Sequence, residues 1–412
     1  MKLLNRICIL EVKISKSTFK MRYFLIIPLF LVFFLMSSRC QISANNQKLI
    51  PNKFNKNEII NPAALQNFVA SLDSLRNLSA KNVSVMHIGD SHIEIGQFSG
   101  EIKRQLVEKY GEGEEGWVFP YQLFNPQCEK SLPIQILGNW KRVSIKSPVT
   151  NKPLGVTGLG FFSEDSIGKM TFTNGSKYGK VTHVYLLHSY TKDENSITVK
   201  NGAIHTERIS ENTAISKIYW DSESSSASLQ ISKKDSFLIY AVKINPEPKN
   251  GITYHKFGVA GSTLNQFMNQ TPLFLEQVSS LKPSLLIISL GTNDAYIDSL
   301  NVVQLKQKLE VFVTNIQKSS SKTAILFTTP PDTKYEGNSP KKLKEINTIL
   351  HELTIDNPTI ALWDLHQAMG GYDSLEKWKK NNLVNSDCLH FTPKGYSLQG
   401  KLFMQSLSVY LH

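Results

Sequence analysis

Apolar strand-like runs alternating with helical periodicities at the two ends of this chain restrict its fold more than any other property of the sequence. Asn82–Gly89 (Asn-Val-Ser-Val-Met-His-Ile-Gly) reads as a buried strand closing on a glycine turn. Ile95, Phe98, Ile102 and Leu106 follow at three- and four-residue spacing, which predicts a helix with one apolar stripe ending near Gly111. The same alternation resumes towards the C-terminus, with strands expected over residues 284–290, 324–328 and 359–363 and helices over 303–316, 343–353 and 393–409. Apolar strands separated by helices of this length bury both of their faces when they form a parallel sheet with helices on either side.

The middle of the chain has another texture. Residues 124–250 carry short alternating runs, at 180–187, 196–199 and 237–244, separated by Asn-Gly, Ser and Lys clusters. This is an all-β pattern, read as a β-sandwich inserted at a surface loop, where it leaves the strand pairing of the host sheet undisturbed. Residues 81–123 and 251–412 then form the two parts of one α/β domain. A length of 412 residues suits this division, because it exceeds what one hydrophobic core usually organises.

Lys16, Lys20 and Arg22 precede an apolar run over residues 23–36, which is followed by Ser37 and Ser38. The run is shorter than the roughly 20 residues of a transmembrane helix, so residues 1–40 are read as a cleaved signal peptide and 41–80 as a leader. No membrane span is expected after its removal, and the protein is expected to be exported, to the periplasm, the outer envelope or the medium. The long basic region before the run suggests that translation starts at Met21 and not at Met1. Cys40 keeps a lipid anchor open, although Arg39 stands where such a signal wants a small residue. Of the remaining cysteines, Cys128 and Cys388 are read as two buried thiols, with pairing in an oxidising compartment as the alternative.

The net charge is +12, but Lys and Arg are dispersed along the chain, so no nucleic-acid partner is expected; a basic exported protein could as easily be drawn to an acidic envelope polymer. His183, His188 and His205 lack metal-ligand spacing, and no metal or other cofactor is assigned.

Four short strings carry the chemistry. Gly89-Asp90-Ser91-His92 lies between a strand and a helix, which puts the Ser91 hydroxyl at the carboxyl edge of the sheet, where open α/β sheets bind ligands. A helix-capping serine would look the same. Gly258-Val259-Ala260-Gly261 ends another apolar stretch, and Gly261 either presents its N–H or only makes a tight turn. Gly291-Thr292-Asn293-Asp294 follows the strand at 284–290; Asn293 is an oxyanion donor or an ordinary turn residue. Asp387-Cys388-Leu389-His390 places an Asp three residues before a His, so that the carboxylate can orient the ring of a general base.

Occurring in this order and in these settings, the four strings make the chain resemble the SGNH (GDSL-like) hydrolase family. The resemblance implies a flavodoxin-like three-layer α/β/α sheet, a catalytic set of Ser91, Asp387 and His390, and an oxyanion hole from Ser91, Gly261 and Asn293. It covers the host domain and not the insertion. His87-Ile-Gly-Asp-Ser-His92, Gly116-Trp-Val-Phe-Pro120 and the block from Asp387 to Gly395 narrow it to envelope esterases of the peptidoglycan O-acetylesterase type, whose inserted sandwich looks like a carbohydrate-binding module. His92 and Trp117 are candidates for the substrate pocket, Trp117 as an aromatic platform or as a core residue. Asp90 and Asp364 are read as loop-bracing and turn-capping carboxylates. The implied activity is removal of O-acetyl groups from an envelope or extracellular polysaccharide, peptidoglycan first. The alternatives are acyl transfer to a sugar by the same residues and glycan binding without catalysis.

Overall fold

A computed structural model describes residues 57–411, apart from 126–131, 147–152, 175–178, 222–225 and 233–236. The signal segment, Cys40, both candidate start methionines and Cys128 therefore lie outside the described residues. Along the chain, β1 (Ile59–Ile60), α1 (Gln66–Arg76), β2 (Asn82–Gly89), the single turn α2 (Ser91–Glu94) and α3 (Gln97–Tyr110) come first. Ten strands follow: β3 (Ile134–Leu137), β4 (Trp140–Ser144), β5 (Leu159–Ser163), β6 (Ile167–Thr173), β7 (His183–Ser189), β8 (Ile197–Val199), β9 (Gly202–Arg208), β10 (Thr213–Trp220), β11 (Ser226–Ser232) and β12 (Ile239–Ile244). The α/β alternation then resumes with β13 (Gly251–Gly258), α4 (Leu264–Met268), α5 (Thr271–Leu281), β14 (Leu285–Ser289), α6 (Thr292–Ala295), α7 (Val302–Ser319) and β15 (Ala324–Thr328). It closes with α8 (Leu343–Asp356), β16 (Ile360–Trp363), α9 (Leu365–Met369), α10 (Ser374–Lys380) and α11 (Pro393–Ser408).

The host sheet runs β1-β16-β15-β14-β2-β13. Its last five members pair in parallel, and β1 adds antiparallel at the edge. Counted in chain order the parallel strands stand 2-1-3-4-5, the flavodoxin-like arrangement, in which the order reverses between the first and third strands and a crevice opens beyond their carboxyl ends. Here those strands are β2 and β14. Helices α1, α3 and α11 pack as one layer, and α5, α7 and α8 as another, so the sheet is the middle of three layers. This explains why β2 is buried from Val85 to Gly89 on both faces.

One expected helix is divided. Gly96 has φ +90°, and a Cβ there would lie 2.8 Å from Lys256 Nζ, so the chain turns out of α2 and restarts as α3. Ile95, counted as part of the apolar stripe, is 41% exposed.

The ten middle strands form two sheets, β4-β5-β12-β7-β10-β9 and β3-β6-β11-β8. Alternating residues of β6 and β10 turn inward, and Phe172 meets Trp220 across the gap at a ring separation of 5.8 Å. This body is joined closely to the host. Val118 bridges antiparallel to Val242 and parallel to Lys256, and Phe119 packs on Phe161 at 5.8 Å, so one apolar core runs from the host strands into the sandwich. No helix among the described residues is long and apolar enough to cross a membrane.

Candidate active site

Ser91 is the first residue of α2, immediately beyond the end of β2, at the point where the strand order reverses. Asp90 caps the turn by accepting the His92 N–H at 3.0 Å. The end of β13 lies so close that a Cβ on Gly258 would stand 2.0 Å from Glu94 N; only glycine permits that approach.

His390 reaches Ser91 from the loop between α10 and α11. Its Nε2 lies 3.0 Å from Ser91 Oγ and its Nδ1 2.7 Å from Asp387 Oδ2. With a carboxylate facing Nδ1, the ring proton belongs there, and Nε2 is left to accept the serine hydroxyl proton. Asp387 Oδ1 also accepts the N–H groups of Leu389 and His390, at 3.0 and 2.9 Å. Partial burial pushes the Asp387 carboxyl upwards, but the bonds from the His390 backbone and ring and from Leu389 outweigh it and hold the group below its ordinary value. The loop carrying the pair is fixed by its backbone: Cys388 adopts φ +56°, Lys334 N donates to Cys388 O at 2.9 Å and Asn385 N donates to His390 O at 2.8 Å.

The two remaining strings meet behind Ser91. Asn293 Nδ2 donates to Ser262 O at 2.9 Å and makes a long contact of 3.5 Å with Asp90 Oδ2. The second contact is at the limit of a hydrogen bond, so one amide hydrogen remains available to another acceptor. Gly261, at φ +76°, precedes the carbonyl that Asn293 grips. Asp294 Oδ2 accepts the Leu264 N–H at 3.0 Å and ties the same loop to α6. Both supporting carboxyls are deeply buried. Burial drives Asp90 up to about 7 against the His92 N–H and the Thr292 hydroxyl, with Asp294 nearby adding to the rise. Burial likewise drives Asp294 up to about 6 against the backbone N–H groups of Leu264 and its neighbours.

Of the two pocket candidates, Trp117 takes its alternative place in the core and His92 stands behind the base. His92 is buried, bonds through Nδ1 to Tyr396 Oη at 2.9 Å, and stands with its ring 5.5 Å from that of His390. Burial, reinforced by the neighbouring His390, lowers it to about 3, so it remains a neutral wall behind the base. Trp117 is 3% exposed; its backbone N–H donates to His255 Nδ1 at 2.8 Å and Lys243 Nζ lies 5.0 Å from its ring centre. Neither residue borders the cleft that opens beside Ser91 and His390, about 850 Å³ in volume, whose aromatic lining is Tyr121 and Tyr254. Trp117 is covered from both sides, by His255 of host strand β13 and by Lys243 of the inserted strand β12. Asp364 caps α9 through Gln367 N at 2.9 Å.

Two supporting residues escaped the sequence reading. Glu94 Oε2 accepts the Ala260 N–H at 2.7 Å and so links α2 to the loop of Gly261; its place three residues after Ser91 was the available signal. Tyr396, which holds His92, lies 304 positions away and had no local signal.

A serine hydroxyl, an imidazole and a carboxylate in line at the carboxyl edge of a 2-1-3-4-5 sheet define the geometry of an α/β serine hydrolase. The chain belongs to the GDSL-like lipase/acylhydrolase family, whose model matches residues 85–403. Among solved structures, a peptidoglycan O-acetylesterase shares the fold at TM-score 0.69 and 22% identity, over 83% of this chain and 95% of that one. A lipase/acylhydrolase from Enterococcus faecalis matches at TM-score 0.32 and 22% identity, over 39% of this chain and 78% of its own. A putative acylhydrolase from Bacteroides fragilis matches at 0.32 and 22%, over 40% and 77%. No curated protein matches the chain.

Proposed function

We propose that the protein is an exported serine esterase that removes O-acetyl groups from a cell-envelope or extracellular polysaccharide, with peptidoglycan as the first candidate. The observation that carries the reading is the line of contacts from Asp387 through His390 to Ser91, 2.7 and then 3.0 Å long. Ser91 Oγ attacks the ester carbonyl while His390 Nε2 takes its proton, and Asp387 holds the ring and stabilises the cation that forms. The N–H groups of Ser91 and Gly261 and the remaining amide hydrogen of Asn293 supply donors to the oxyanion. His390 then protonates the departing sugar oxygen, leaving an acetyl group on Ser91. Water attacks this acyl-enzyme with His390 again as base, and acetate leaves.

Support for the substrate comes from three sides. The fold is shared over most of the chain with a peptidoglycan O-acetylesterase. The apolar run behind Lys16, Lys20 and Arg22 has the form of an export signal. A cleft of about 850 Å³ exceeds what an acetyl group alone would need and leaves room for the sugar that bears it. Acetate release from O-acetylated peptidoglycan, acetylxylan and acetylated alginate is the test. Wild-type enzyme should release acetate from at least one polymer and Ser91→Ala from none; equal release by both proteins would end the reading. Transfer of the acetyl group to an added sugar, in place of release, would assign the same residues to an acyltransferase.

A further inference from the structure

The wall of the Ser91 cleft is not made by the hydrolase sheet alone. Beyond β4, Ile145 N donates to Gly158 O at 3.0 Å, and the Ile145 side chain packs where a Cβ on Gly158 would meet it at 3.1 Å. The segment around Gly158 is docked on the host helices: Leu154 N donates to Gln270 Oε1 at 2.8 Å and Val156 N to Gln277 Oε1 at 2.9 Å. A Cβ on Gly158 would also lie 2.8 Å from Val259, in the string that ends at Gly261. These contacts bring the next residue, Lys146, over the oxyanion loop. A Cβ built on Gly261 would stand 2.5 Å from Lys146 Nζ and 3.2 Å from its Cε.

Lys146 is exposed, and no described carboxylate forms an ion pair with it. Its ammonium therefore stands beside the Gly261 loop without a fixed counter-charge among the described residues. Lys103 and Lys256 line the cleft beside Ser91, next to the Gly261 loop that Lys146 covers, and Lys256 Nζ donates to the Glu94 carbonyl at 3.0 Å. The acidic groups of the cleft are Glu94, whose carboxylate accepts the Ala260 N–H, and Glu115. The two lysines and two glutamates of the cleft balance, so the Lys146 ammonium beside Gly261 is the charge that tips the rim of the site towards positive. A charge-assisted hydrogen bond in a partly enclosed cleft is stronger than one between neutral groups, and an ammonium is a compact point charge that meets a carboxylate well.

We propose that Lys146, delivered by the inserted sandwich, is a specificity-determining residue that binds a carboxylate of the substrate next to the ester, so that the enzyme selects an acidic polysaccharide over a neutral one. The inference rests on the esterase reading and gives the insertion a part in the active site itself. The probes are two acetylated oligosaccharides of matched length, an oligogalacturonate and a xylo-oligosaccharide free of uronate. Wild-type kcat/KM should favour the acidic probe by about tenfold, the worth of one hydrogen bond to a charged group. Lys146→Met should bring the two probes to within about twofold of each other, while Lys146→Arg keeps most of the preference. Raising sodium chloride from about 50 to about 500 mM should shrink the wild-type preference and leave Lys146→Met unaffected by comparison. Thermal melting of each variant confirms that it is folded. An equal loss on both probes would mean that Lys146 serves the oxyanion or the loop and would overturn the proposal. So would no loss on either probe, or a wild-type enzyme without preference. Hydrolysis by Ser91→Ala would instead refute the esterase reading, which is a separate result.

Discussion

Asp387 and Asp90 are both near Ser91, yet their surroundings push them in opposite directions. Asp387 sits on a partly exposed loop and receives two backbone N–H groups and an imidazole, which hold it ionised. Asp90 lies in the interior with Asp294 nearby, and burial raises it to about 7. The residue type is the same; desolvation against hydrogen bonding decides which carboxylate can stabilise a cationic histidine and which can only brace a turn. The contrast supports the proposed catalytic part for Asp387 and a bracing part for Asp90.

The largest effect that could break this contrast is expected from Asp387→Asn. Without a carboxylate the ring loses its preferred tautomer, and kcat on an aryl acetate should fall on the order of 10⁴-fold. A loss of only a few-fold would return Asp387 to the role of a loop residue. Asn293→Ala should follow, with kcat down about 100- to 1000-fold and an unchanged melting temperature, because in the proposed mechanism its amide serves a charge that develops in the transition state. Steady-state kinetics together with calorimetry checks both halves of that statement.

Asp90→Asn should be milder in turnover, since Asn can still accept the His92 N–H. Its signature is in stability. The folded protein holds the Asp90 proton more tightly than the unfolded chain does, because the group rises from its ordinary value of 3.8 to about 7. Stability from this group is complete below about pH 3.8 and is lost as pH rises through about 7. The advantage of Asp90→Asn over wild type in melting temperature should therefore grow from about pH 5 to about pH 7 and level off above it. Parallel melting curves across that range would show that Asp90 carries no such burden. The smallest effect is expected from His92→Gln. It removes a neutral wall that burial already keeps near 3, so kcat should change by less than about tenfold and the pH profile should keep its shape. A displaced profile would give His92 a part in proton transfer.

Much of the host was readable because its information is local. β2 and β15 span the residues that their apolar runs mark, and the helix expected over 393–409 is α11, Pro393–Ser408, begun by the Thr392 cap and Pro393. The elements behind the Ser91, Asn293 and His390 strings were visible for the same reason. What escaped depends on contacts across the chain. The approach of Lys256 to Gly96, the packing of Lys243 and His255 on Trp117 and the support of His92 by Tyr396 all join residues far apart in the chain. Lys146 is the clearest case. Nothing about residues 140–146 distinguishes them from other alternating runs, and their nearness to Gly261 follows from Gln270 and Gln277 gripping the insertion 116 and 121 positions away. Periodicity shows which face of an element is buried, but not which distant side chain covers it.

The proposed esterase activity requires that Ser91 be the one hydroxyl that His390 activates. Treating the purified protein with an alkyl fluorophosphonate and mapping the adduct by mass spectrometry tests this directly. The expected result is a single phosphonylated residue, Ser91, modified at least about 100-fold more slowly in His390→Ala. An unmodified protein, or an adduct on another residue that forms equally fast without His390, would contradict it.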